Sequence, residues 1–119
     1  MPAINAQILL NGLVEKASAD NAIATATAPA MTSQRNFALG VLASYDAAVA
    51  LYKTITITYN TASGTTVTLV FDHDFTNGEF AFAFPVAVRG FENTLVSAAL
   101  EASGTGGING KVFLFYFVS

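Results

Sequence analysis

The sequence holds a single histidine, His73, within the run Phe71-Asp72-His73-Asp74-Phe75. An imidazole flanked by carboxylates is raw material for a metal site, or for a general base oriented by an aspartate. On an extended chain, successive side chains leave on opposite faces. Asp72 and Asp74 then point away from His73, and the three groups do not converge. Glu79 lies across the turn Thr76-Asn77-Gly78 and can join Asp74 around a cation such as Ca²⁺. That ion takes about 6–8 oxygens, and this set supplies too few. Asp72, Asp74 and Glu79 therefore stand as weak metal candidates, and the run reads first as a polar strand end.

Other reactive patterns fail on their details. No G-x-S-x-G elbow occurs, and Ser103, between Ala102 and Gly104, is more simply a turn residue. The Gly-rich run Gly104 to Lys111 invites a phosphate-loop reading. Thr105 stands where a Walker loop needs glycine, and Val112 where it needs Ser or Thr. Asn109 stands where the dinucleotide pattern from Gly104 needs its last glycine. The run also joins two strand-like segments, where its glycines supply positive φ for a long hairpin turn. No catalytic or cofactor-binding residue and no cofactor is assigned, and the chain is read as not an enzyme.

Composition narrows the partners. The formal net charge is −3, and the five cations are scattered at Lys16, Arg35, Lys53, Arg89 and Lys111. Phosphate neutralisation needs a clustered basic footprint, so nucleic-acid binding is not expected. Cysteine is absent, which excludes disulfides and thiolate metal sites. No segment approaches the ~20 apolar residues that span a bilayer, so no membrane partner is expected. The first residues lack a basic n-region, and the chain is read as made in a cytoplasm and not exported by that route. Charged residues make up only 11% of the chain and hydrophobic ones 53%. An ordinary domain carries roughly 25% charge. Either Thr, Ser and Asn solvate the surface, or partners bury part of it.

The elements that must position these residues are strands. At 119 residues, one domain is expected. Residues 1–33, rich in Ala, Thr, Asn and Ser, show no sustained period and read as an N-terminal arm, with room for one short element around Ile8 to Val14. Residues 34–119 read as the folded domain. Thr54 to Tyr59 alternates β-branched polar with apolar residues, and Thr65 to Phe71 repeats the pattern after a Gly-containing turn, a β-hairpin signature. Glu79 to Phe84 places Phe80, Phe82 and Phe84 on one face and alanine on the other, with Pro85 ending the run or marking an edge. Residues 93–102 form a further strand. Lys111 to Val118 turns Phe113, Phe115 and Phe117 to one side and Val112, Leu114, Tyr116 and Val118 to the other. A strand apolar on both faces is central in its sheet, with its second face in the core or in an interface. The Phe stripes read first as core and second as the lining of an apolar ligand cavity. Asn36 to Leu51 fits a helix loosely, and a strand over 36–44 is favoured. Arg89-Gly90-Phe91-Glu92 offers an ion pair within or between subunits. Six or seven short strands predict an all-β, antiparallel sandwich, jelly-roll-like or immunoglobulin-like.

Laid out in this way, the segments Leu39 to Ala47, Phe84 to Gly90, Val96 to Gly104 and Gly107 to Val112 resemble small bacteriophage virion proteins of the capsid decoration, or cement, type. The resemblance covers roughly residues 37–118 and rests on turn-and-strand patterns. It implies a β-sandwich, commonly a homotrimer, seated on the outer shell of a virion between major capsid subunits. Phe113, Phe115, Phe117 and Arg89 are then candidates for the oligomer or capsid interface. Ile8, Leu9 and Leu10 join them, on an arm that latches onto a neighbour. The alternatives are a receptor- or carbohydrate-binding module, in a tail, fibre or lectin-like setting, and, last, a small hydrolase built on His73.

Overall fold

The computed structural model describes residues 12–49 and 52–119. The described residues form eight strands: β1 (Leu13–Asp20), β2 (Ala24–Ala28), β3 (Asn36–Tyr45), β4 (Tyr52–Ala62), β5 (Thr65–Asp74), β6 (Phe80–Arg89), β7 (Val96–Leu100) and β8 (Asn109–Val118). They pair antiparallel in two four-stranded sheets, ordered β1-β8-β3-β6 and β2-β7-β4-β5. Every connection except the β4–β5 hairpin passes from one sheet to the other. An immunoglobulin sandwich keeps its first two strands in one sheet. Here they are split, and of the two sandwiches open from sequence the arrangement is the jelly roll.

Alternation explains most elements. On β4, Ile55 and Ile57 are fully buried, facing inward opposite Phe71 and Leu69 of β5, while Thr54, Thr56 and Thr58 face outward. Each buried isoleucine stabilises the fold by about 1.5–3 kcal/mol. Ser63 and Gly64 close the hairpin, and Gly64 takes a φ of 73° that a side chain would resist. Val96, Ala98 and Leu100 of β7 and Val112 and Leu114 of β8 complete the centre of the core.

Residues 13–28 correct the expected boundary of the domain. Instead of an arm, they supply an edge strand to each sheet, β1 beside β8 and β2 beside β7. Ala24, Ala26 and Ala28 are buried and Thr25 and Thr27 face outward, so this is period-2 alternation written with alanine. Alanine carries little hydrophobic signal and favours helices, which hides the strand in the sequence. Among the described residues the sandwich therefore begins at Leu13. Ile8, Leu9 and Leu10 lie outside the described residues.

β3 holds the two sheets in register. Asn36, its first residue, is fully buried, and its Nδ2 donates towards the carbonyls of Ala28, Pro29 and Thr94 at 3.3, 2.9 and 3.2 Å. Its own carbonyl accepts from the Gly90 N–H at 2.8 Å. The side chain thus joins the exit of β2 and the approach to β7 to the start of β3, and the backbone carbonyl adds the exit of β6. Three residues on, Leu39 interrupts the pairing of β3 with both neighbours as a bulge, and its side chain is buried. β6 continues past Pro85 to Arg89, which is tolerated because β6 is a sheet edge.

Candidate interaction face

The outer faces of the two sheets differ in kind. Outside β2-β7-β4-β5, the register aligns Thr27, Ser97, Thr58 and Thr68 across the sheet, then Thr25, Ala99, Thr56 and Val70. This surface is mostly hydroxyl, with Val70 and Tyr52 exposed as single apolar side chains among the threonines. Outside β1-β8-β3-β6, Phe113 lies between Lys16 and Leu42, Phe115 between Val14 and Gly40, and Phe117 beside Phe37. The Phe37 and Phe117 rings stack at 4.7 Å, with an angle of 3° between their planes. Ala81 and Ala83 extend the surface beside Leu42 and Gly40. Together these residues make a continuous apolar face rather than scattered exposed side chains.

Gly40 shapes this face. A Cβ there would meet the Phe82 carbonyl oxygen at 2.8 Å, so only glycine allows β6 to approach so closely. Gly40, Val41, Leu42, Ala81, Phe82, Ala83 and Phe115 line a shallow apolar dish of about 330 Å³ on this surface. The two Phe stripes have separate fates. Phe80 and Phe84 are buried, Phe82 stands 37% exposed at the rim, and Phe71 contacts Phe80 and Phe82 between the sheets. Phe113, Phe115 and Phe117 lie outside and half-buried, so the expectation that this stripe is core is corrected. The inward positions of β8 are already taken by Val112, Leu114 and Tyr116.

Three cations rim the face. Lys16 is paired with Phe113, Lys111 with Ser18 and Ser44, and Arg89 with Phe37. Glu92, read from sequence beside Arg89, pairs instead with Arg35 at 3.7 Å, and the Arg35 guanidinium also lies 5.3 Å from the Phe91 ring centre. Sequence reasoning singled out Phe113, Phe115, Phe117 and Arg89 but missed Val14, Phe37, Gly40 and Leu42. Val14 was missed with β1 itself, and on β3 the cause is the bulge at Leu39. It puts Phe37 on the same face as Gly40 and Leu42, which simple alternation forbids.

The reactive candidates do not assemble. Asp72 accepts from the Thr54 hydroxyl at 2.8 Å. Asp74 instead caps the short 3-10 turn Phe75–Asn77, accepting from the Thr76 N–H at 3.0 Å and from its hydroxyl at 2.6 Å. These bonds, the hydroxyl's first, hold the Asp74 carboxyl below its usual range. His73 turns inward, its Nε2 donating to the Gly78 carbonyl at 3.0 Å and its ring edge-on to Phe75 at 4.7 Å. Glu79 opens instead onto a recess of about 560 Å³ lined by Tyr45, Val49 and Phe75. Among the described residues, no three His, Asp or Glu side chains are grouped as a metal ion requires. The Gly-rich loop is also occupied. The N–H groups of Gly104 and Gly107 donate to Asn21 and Asp20 side chains at 2.9 and 2.8 Å, and the Asp20 carboxylate would repel a phosphate. Ser103 is buried, its hydroxyl donating to the Thr105 carbonyl at 2.9 Å.

Two tyrosines are perturbed at the sheet ends. Burial, aided by the nearby Glu15 carboxylate that accepts a hydrogen bond from its hydroxyl at 3.2 Å, pushes Tyr116 up to about 12. Burial and then Glu101 push Tyr45 to about 12 as well. Both serve as neutral donors, Tyr45 to the Glu101 carbonyl at 2.7 Å. No protein-family model matches the chain, and no curated protein is similar to it.

Proposed function

We propose that this chain is a non-enzymatic virion structural protein of the capsid decoration type. It attaches to the outer shell through the phenylalanine face and stabilises the shell by bridging major capsid subunits. The observation that carries this reading is the contrast between the two sheets. One outer face is mostly threonine and serine, with Ala99, Val70 and Tyr52 among them; the other has a continuous centre of phenylalanine, leucine, valine, alanine and glycine with a polar and charged rim. A surface of the second kind gains free energy when covered, at about 25 cal/mol per Å² of apolar area removed from water. Jelly rolls are frequent among viral capsid and lectin domains, which supports the reading by analogy.

The mechanism is mechanical. Each copy covers its apolar face against the shell while the hydroxyl face meets solvent. Contacts of modest strength become durable when homotrimeric copies bind several sites at once, because release of one leaves the others attached. A glycan-binding module is less well supported. Its site needs polar groups for sugar hydroxyls beside the stacking ring, and the dish around Phe115 is lined by apolar side chains.

The direct test is to add the purified chain to particles of the virus that encodes it, assembled without it. Binding should saturate at a fixed copy number and raise the temperature at which particles release their contents. Absence of saturable binding overturns the proposal.

A further inference from the structure

The five cations divide by position. Arg35 pairs with Glu92 at 3.7 Å and Lys53 with Glu101 at 3.8 Å. Lys16, Arg89 and Lys111 make no ion pair with any described residue, and all three are exposed on the outer side of the phenylalanine sheet. Arg89 stands beside Phe37 at one end of the apolar centre, and Lys111 stands beside Ser44 at the other. Lys16 flanks Phe113 on the neighbouring strand β1. Within the four strands the only carboxylate in the same outward rows is Asp20, whose Oδ1 is taken by the Gly107 N–H; just past the strand ends on the Lys111 side stand Asp46, whose Oδ1 is taken by the Asn109 N–H, and Glu79. In a chain of net charge −3, the outward positions of these four strands thus carry three of the five cations and one of the eight acids.

We infer that the occupant of this face is another protein whose surface is apolar at its centre and bears carboxylates around it, and not a second copy of this chain. The inference rests on the attachment reading above and names the chemistry of the partner at that site. Two copies set face to face would oppose their cationic rims and leave those charges unpaired at the edge of an apolar contact. Size argues the same way. With strands about 4.8 Å apart and about 3.3 Å per residue, the apolar centre covers on the order of 400 Å². A stable interface takes about 800 Å² from each partner. The contact must therefore extend across the rim, where uncompensated Lys16, Arg89 and Lys111 would lose hydration for nothing. Carboxylates opposite them supply the missing pairing, and Arg89 suits a two-pronged bond to one of them. Pairs at a rim act mainly on association rate and orientation. Such a partner would be captured quickly and in a single orientation.

The test uses the full chain and particles of the encoding virus assembled without it. Association rates are measured at about 0.05 M and about 0.5 M salt, which span strong and weak screening. The wild type is compared with a Lys16→Glu, Arg89→Glu, Lys111→Glu triple variant and with a Thr56→Glu, Thr68→Glu control on the opposite face. Far-UV circular dichroism and melting confirm that each is folded. Wild-type association should slow about tenfold or more between the two salts. The triple variant should be about 100-fold slower than wild type at low salt, and the control within about twofold of it. Equal rates for wild type and triple variant, or wild-type binding indifferent to salt, overturns this inference while leaving attachment standing. A Phe115→Glu variant whose solution mass falls to a smaller oligomer assigns the face to a second copy and also overturns it. No wild-type binding at either salt overturns the attachment reading, and this inference with it.

Discussion

Asn36 anchors the strand that carries Phe37, Gly40 and Leu42 of the proposed face, and its replacement by alanine should be costly in a calculable way. Its two amide protons serve three carbonyls, those of Pro29, Thr94 and Ala28, at 2.9, 3.2 and 3.3 Å in a site that is 1% exposed. Losing two such bonds costs about 1–1.5 kcal/mol each. The space left by the amide adds about 1 kcal/mol. Against this, Asn36 Oδ1 is buried without a partner, and its removal returns about 1 kcal/mol. The balance is a loss of about 2–3 kcal/mol, or a melting temperature lower by about 10 °C at this chain length. Because the chain has no tryptophan, urea unfolding is best followed by far-UV circular dichroism. Asn36→Asp keeps the volume but turns a carboxylate towards the same carbonyls. It should be worse than alanine at pH 7 and recover towards it near pH 4, where the acid can be neutral. A loss under about 0.5 kcal/mol for Asn36→Ala, or equal losses for both variants at pH 7, would refute the anchoring argument.

Tyr116 and Tyr45 ionise near 12 in the folded chain, against about 10 in the unfolded one, so folding favours their neutral forms. Their contribution is complete below about pH 10 and declines as pH rises towards 12; Tyr116→Phe should flatten part of that decline in urea midpoints taken from pH 9 to 12. Gly40→Ala should lower the melting temperature by several degrees, because its Cβ would stand 2.8 Å from the Phe82 carbonyl oxygen and force β3 from β6. A shift of under about 1 °C would mean that this close approach is not required. Phe115→Glu should remove at least about 90% of attachment to particles while leaving the melting temperature within a few degrees, since the ring faces outward; full attachment would exclude Phe115 from the contact.

Much of the fold is legible in the sequence where alternation is written in strong letters. The Thr-Ile hairpin, the Phe80-Phe82-Phe84 run and the two-sided apolar strand β8 all fall where their patterns place them. β1 and β2 escaped because their inward residues are mostly alanine, whose small side chain lets the sheets approach but scarcely registers as hydrophobic. The interaction face was half legible. Phe113, Phe115 and Phe117 announce themselves, whereas Phe37, Gly40 and Leu42 share their face only because Leu39 bulges out of register. A bulge is decided by pairing across strands, and no local pattern reports it. The division of the cations is likewise a property of topology. Arg35 finds Glu92, 57 positions away, and leaves Arg89 unpaired among the described residues.

The central claim is that the phenylalanine face is the one covered on the shell. Radical footprinting of the chain, free and bound to particles, reads that directly from the labelling of individual side chains. The account predicts that labelling of Phe37, Phe113, Phe115 and Phe117 falls severalfold on binding, while Val70 and Tyr52 on the opposite sheet label as before. Unchanged labelling of the four phenylalanines with protection of Val70 would contradict it, and would turn the threonine face towards the partner.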